Sequence, residues 1–164
     1  MSKNYRVVDD DGVVVLVSEK AAQRRYAGRA FGYKYPDELL EAMRAGEIFA
    51  WRAGAEGEHS IRLVYGDPEP DGPATVRGFI RVADGDRLLL MPYSQYSYDC
   101  SANGRFEFID GLCAVVSTHA GLHEVSVVLV GSGLPSISDN RFDVGLTPTA
   151  VAEFEDLTEV PGWR

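Results

Sequence analysis

The chain has 164 residues, of which 45% are hydrophobic and 25% charged, with a formal net charge of −9. Its length allows roughly 70% of the unfolded surface to be buried without disulfide or metal staples, so a single domain is expected. No apolar run reaches about 18 residues, which excludes a membrane-spanning helix. The opening MSKNYRVVDDDG lacks the apolar segment of a signal peptide, so a cytoplasmic location is expected.

Cys100 and Cys113 lack CxxC or zinc-type spacing and are expected to be reduced, with Cys113 in the core. Residues 1–58 carry nine Lys/Arg and ten Asp/Glu, whereas residues 59–164 carry seven and fifteen. That acidic second part argues against binding a phosphate backbone and suits steering of a basic partner.

In chain order, residues 5–8 and 13–17 predict two short strands around the acidic turn Asp9-Asp10-Asp11-Gly12. Such a run is read as a solvated turn, and no metal is assigned. Ser18 and Glu19 open a short basic helix containing Lys20, Arg24 and Arg25, with Gly28 as the residue just past its end. Phe31, Tyr33 and Tyr35 lead, extended, into a second helix. Pro36, Asp37 and Glu38 mark its start, Leu39, Leu40 and Met43 its buried stripe, and Gly46 its end.

Ile48, Phe49 and Trp51 begin a strand, and His59 to Tyr65 forms another. The segment GDPEPDGPA is an acidic surface loop, with prolines that exclude regular structure. Its Asp67, Glu69 and Asp71 are spaced like the start of a calcium loop. The twelfth position is Gly78 instead of a bidentate glutamate, so no calcium is assigned.

Asp84-Gly85 and Asp110-Gly111 each lie between apolar runs and predict two β-hairpins. The second pairs Ile109 with Leu112 and Phe108 with Cys113. A three-residue loop then places Val125, Val127 and Leu129 of a further strand beside the phenylalanines. Between the hairpins, residues 92–104 (PYSQYSYDCSANG) form a Tyr/Ser-rich link. Tyrosine adds rigid area with a polar tip and serine adds adaptable hydrogen bonding, a mixture favoured at binding surfaces. An ordinary strand and turn with half-buried tyrosines is the alternative. Phe142 and Val144 suggest a last short strand. Thr147-Pro148 suggests the start of a C-terminal helix with Val151, Phe154 and Leu157 on one stripe.

No motif selects a catalytic group. Cys113 and His119 lie six residues apart on one predicted strand, about 20 Å, too far to touch. His119 and His123, flanking a turn, supply at most two metal ligands, fewer than zinc normally takes. Gly131-Ser132-Gly133 is neither a phosphate loop nor a nucleophile elbow.

From residue 60 to 130 the order is strand, loop, strand, Asp-Gly turn, strand, then a short hairpin ending in a long strand. With the acidic charge, this pattern resembles the competence-protein-J type of bacterial nuclease inhibitor. The resemblance implies a cytoplasmic inhibitor or immunity protein that binds a toxin or nuclease, and no functional residue is carried over from it.

The expected fold is α+β: a mostly antiparallel β-sandwich or open barrel with two or three covering helices. The expected function is a non-enzymatic protein-binding module without cofactor. Its partner is a basic protein, not nucleic acid or a membrane. Tyr93, Tyr96, Tyr98 and Asp99, with Asp67, Glu69 and Asp71, are the expected partner-binding residues. The alternatives are a small-molecule-binding or hydrolytic enzyme with its site inside the β structure, and a self-assembling subunit such as a homodimer.

Overall fold

A computed structural model of the protein describes residues 2–29, 31–32, 34–66, 75–102, 113–116, 118–130, 140–150 and 157–163. The elements run β1 (Ser2–Asp9), β2 (Val13–Ser18), α1 (Glu19–Tyr26), α2 (Asp37–Arg44), β3 (Ile48–Ala53), β4 (Gly57–Tyr65), β5 (Thr75–Val82), β6 (Leu88–Pro92), α3 (Tyr93–Ser101), β7 (Ala114–Val116), β8 (Gly121–Leu129), β9 (Arg141–Pro148) and β10 (Gly162–Trp163). They form two five-stranded sheets, ordered β1-β4-β9-β8-β5 and β10-β3-β2-β6-β7. Each sheet is antiparallel except for one parallel pair, β4 with β9 and β10 with β3. The fold is α+β.

Every residue of β2 is buried, so its run VVVLVS has no polar side. A strand covered on both faces reads as continuous apolar sequence. One of its faces meets the first sheet, and α1 and α3 pack against the strand as well. α2 lies against β3 of the same sheet. Leu16, Phe49, Trp51, Ile61, Ile80 and Phe142 lie in one continuous core drawn from both sheets. Trp51 of the second sheet meets Phe142 of the first edge-on, ring centroids 6.0 Å apart.

The two N-terminal helices follow their local signals. Ser18 caps α1 by accepting from the Ala21 N–H, and Gly28 and Gly46 take positive φ past the ends of α1 and α2. Leu39, Leu40 and Met43 are buried as their spacing requires. Cys100 and Cys113 are buried and not joined in a disulfide.

Four sequence expectations are corrected. Asp84-Gly85 does form a turn, with the Asp86 N–H donating to the Ala83 carbonyl. It is not a hairpin, because β5 belongs to the first sheet and β6 to the second. The turn docks on α1 instead. Asp86 accepts from Ser18 Oγ (2.5 Å) and from the Lys20 N–H (3.0 Å), a carboxylate at a helix N-terminus. Glu19 accepts two bonds from Arg87, both 2.6 Å.

The strand at 121–129 shows the buried valines expected, Val125 and Val127, but its partners are β5 and β9, and β7 pairs with β6. The pleat fixes which residues face inward, and it says nothing about which strand lies alongside. The turn at Asp110-Gly111, with Phe108 and Ile109, lies outside the described residues, as do Asp67, Glu69 and Asp71.

Residues 93–101 of the Tyr/Ser link are the helix α3. Thr147-Pro148 does not open a helix but closes β9, opposite Glu124 and His123 of β8. Proline is tolerated there because β4 no longer pairs alongside it. Residues 151–156 lie outside the described set.

The sheets approach closely at Gly78 of β5. A Cβ there would run into the ring of Phe49, which is itself 2% exposed. Gly78→Ala is therefore expected to destabilise the protein by about 1–3 kcal/mol, the usual cost of overpacking a core. A lowered urea midpoint with unchanged slope would show it. An unchanged midpoint would mean that Phe49 moves freely.

Candidate functional site

α3 begins directly after the extended Pro92 and sorts its side chains by helical spacing. Tyr96 and Cys100, four apart, turn inward. Tyr96 sits edge-on to Tyr26 and Phe31, with centroids at 6.5 and 6.4 Å, and the Tyr26 and Tyr96 hydroxyls lie 3.4 Å apart. Burial drives the Tyr96 phenol far above its usual range and pushes the Cys100 thiol well up, so neither ionises near neutrality. Asp99 is also buried and accepts from the Gln95 amide at 2.9 Å.

Tyr96 and Asp99 are thus core residues in this structure. Tyr98 is 64% exposed and Tyr93 half-buried. The helical stripe of Tyr93, Tyr96 and Cys100 was present in the sequence but obscured by its serines.

Tyr93 leads to a surface assembled from distant segments. Its ring lies edge-on to Tyr35, centroids 5.2 Å apart, and Tyr35 is 48% exposed. In the second sheet Val14 of β2 lies opposite Pro92, and Val13 lies opposite Arg52. That register brings the start of α3, Arg52 and the β1–β2 turn together. Burial, then the charges of Asp11 and Glu38, push the Tyr93 phenol up to about 12. Tyr35 is raised by burial, with Arg52 and Asp11 acting on it in opposite directions. The result is a tyrosine pair that feels the charges of Asp11, Glu38 and Arg52.

The turn beneath this surface is held by Asp9. Its Oδ1 accepts from the N–H groups of Asp11 and Gly12, both at 3.0 Å, and its Oδ2 lies 3.3 Å from Nε2 of His59. The Asp9 and His59 side chains are completely buried. Burial opposes the charge on Asp9, but hydrogen bonds from His59 and Asp11 win and hold its carboxyl below the usual value. Asp11 is the reverse case. Burial and the adjoining Asp9 push it up to about 7, against one hydrogen bond from the Val13 N–H at 3.2 Å. Ligand atoms of Asp9, Asp10 and Asp11 lie within 4.8 Å of one another. Asp9 has committed both oxygens within the fold, and we read the cluster as a turn and assign no metal to it. Among the described residues, no helix is long and apolar enough to cross a membrane.

No family model matches the sequence, and no curated protein sequence matches it significantly. Two solved structures share its fold. One is described as crocagin biosynthetic gene J: TM-score 0.53 and 14% identity, covering 90% of this chain and 95% of that one. The other is ComJ, an inhibitor of the DNA-degrading activity of NucA, from Bacillus subtilis: TM-score 0.53 and 10% identity, covering 91% of this chain and 98% of that one. The likeness to the competence-protein-J fold is therefore found in the structure, at an identity that speaks for fold alone.

The paired aspartates predict a pH effect. Folding favours protonated Asp11, so that contribution is full below the usual carboxylate range and fades as pH rises through about 7. Asp9 acts oppositely, but its contribution is lost only as pH falls through its lowered value. Stability is expected to fall from about pH 4 to about pH 7 and to level off above it, and Asp11→Asn is expected to flatten that fall. Urea midpoints across the interval measure both. A wild-type profile already flat would remove the assignment.

Proposed function

We propose that this chain is a non-enzymatic protein-binding module of inhibitor or immunity type, acting in the cytoplasm on a basic toxin or nuclease. The observation that carries the reading is the pairing of exposed Tyr35 with half-buried Tyr93, within electrostatic reach of Asp11 and Glu38, on the scaffold shared with ComJ. Aromatic rings next to carboxylates suit an arginine or lysine of a partner, through cation–π attraction and charge pairing. The chain's charge of −9 supplies long-range steering toward a basic protein.

Tyr93 and Tyr98 are proposed to meet the partner, together with Tyr35, Asp10 and Asp11. Asp67, Glu69 and Asp71 are proposed to add to the steering charge. Tyr96 and Asp99 are proposed to support α3 from inside, not to touch the partner.

The test is affinity capture from the native host at low and high salt, followed by a nuclease assay of the captured protein with the chain added back. A basic nuclease is expected, released by salt and silenced near one-to-one stoichiometry. Tyr35→Ala with Tyr93→Ala is expected to weaken the complex by roughly 30-fold, the scale of a hot-spot loss. Tyr93→Phe, which keeps the ring, should bind nearly normally and controls for folding. A captured enzyme whose activity is untouched by the chain would overturn the inhibitor reading.

A further inference from the structure

A second surface has a different character. On the outer face of the first sheet, β1, β4 and β9 lie side by side. Arg6, Ser60 and Arg141 form one cross-strand row, and Asn4, Arg62 and Asp143 the next. Arg77 and Arg81 of β5 are exposed on this face as well. The described strand residues of this face thus offer five arginines against the carboxylates of Glu58, Glu124 and Asp143, in a chain of net charge −9.

Across β1, β4 and β9 the face forms an open groove of about 660 Å³, lined by Asn4, Tyr5, Arg6, Ser60, Ile61, Arg62 and Arg141.

The groove's donors are unevenly engaged. Arg6 reaches Glu58 at 3.2 Å, but its side chain is 78% exposed, an arrangement that contributes little. Arg62 gives Nε (2.9 Å) and Nη2 to Asp143, which leaves the Nη1 hydrogens for another acceptor. Arg141 has no carboxylate partner among the described residues. Two strand spacings separate Arg6 from Arg141, so their Cα atoms stand about 10 Å apart, with Arg62 about 7 Å along the strand from Ser60. Three guanidinium groups, one hydroxyl and one amide thus line the same groove.

We propose that this groove is a binding site for a small molecule carrying a diphosphate-type anion, gripped by Arg6 and Arg141 from either side and by Arg62 with Ser60 and Asn4 between. Guanidinium forks match phosphate oxygens in pairs. A diphosphate carries more than one negative charge, so it competes with the singly charged Glu58 for Arg6. A compact anion is favoured over a nucleic-acid strand, because a strand leaving the groove meets the field of a strongly acidic protein. The site is independent of the tyrosine surface and does not rest on the protein-binding reading.

Amide NMR of the whole chain titrated with pyrophosphate at constant ionic strength tests it. Saturable shifts are expected at Asn4, Ser60, Arg62 and Arg141, with inorganic phosphate at least tenfold weaker. Arg141→Gln and Arg6→Gln, both at exposed positions, are each expected to weaken binding about tenfold while leaving the rest of the spectrum in place. Arg62→Lys keeps the charge but loses the fork, and should also weaken it. Linear, unsaturated shifts would overturn the proposal, as would equal affinity for phosphate and pyrophosphate or unchanged binding by the glutamine variants. A single-stranded oligonucleotide that saturates the same amides while pyrophosphate does not would overturn it too.

Discussion

The structure depends on a strand with no outside. β2 must bury both faces of Val13–Ser18, and no single packing partner does that. The first sheet covers one side, with Phe142 and Ile80 contributing to the shared core, and helices contribute to the other. Its C-terminal end is tied down by Ser18. That residue caps α1, donates to Asp86, and sends its backbone N–H to the Glu47 carbonyl. A charged lock closes the same corner, with Glu19 on Arg87 and Arg25 on Glu47. Apolar burial supplies most of the driving force, and the polar lock specifies which turn sits where.

What was legible in the sequence follows from this distinction between local and non-local information. α1 and α2 were readable because their caps, stripes and closing glycines lie within one segment. β2 was readable as a strand because six consecutive residues share one environment. Sheet membership was not. Asp84-Gly85 carries the same local signal whether its flanking strands pair with each other or part to different sheets. The decision rests with Asp86 and Ser18, 68 residues apart. α3 was hidden differently: its serines suggested a loop, and only the four-residue spacing of Tyr96 and Cys100 marked a helix. Serine tolerates a helix when its hydroxyl bonds back to the preceding turn, as Ser97 does to the Ser94 carbonyl and Ser101 to Tyr98.

The candidate site was half legible. Tyr93 was identified for its type, whereas Tyr35 and Asp11 belong to it only because the β2–β6 register and the approach to α2 place them there. Buried Asp9 and His59 were invisible as a pair, standing 50 residues apart. A lone histidine on a strand carries no signal until the sheet register supplies its carboxylate. The arginine groove escaped for the same reason. A net charge counted along the chain averages over faces, and alternate residues of β1, β4 and β9 bring three arginines together on one side.

The two surfaces also differ in how firmly they are held, and that bears on what each suits. The tyrosine pair stands on three segments, each anchored to the core: the turn bound by Asp9, the lead into α2, and the first turn of α3 above buried Tyr96. Little ordering would remain to be done for the proposed partner, because the aromatic pair is already held in place. The groove instead pairs a rigid floor, the backbone of adjacent strands, with long arginine side chains that retain their own freedom. A rigid floor with adjustable cations suits a small ligand whose charge, more than its shape, is recognised.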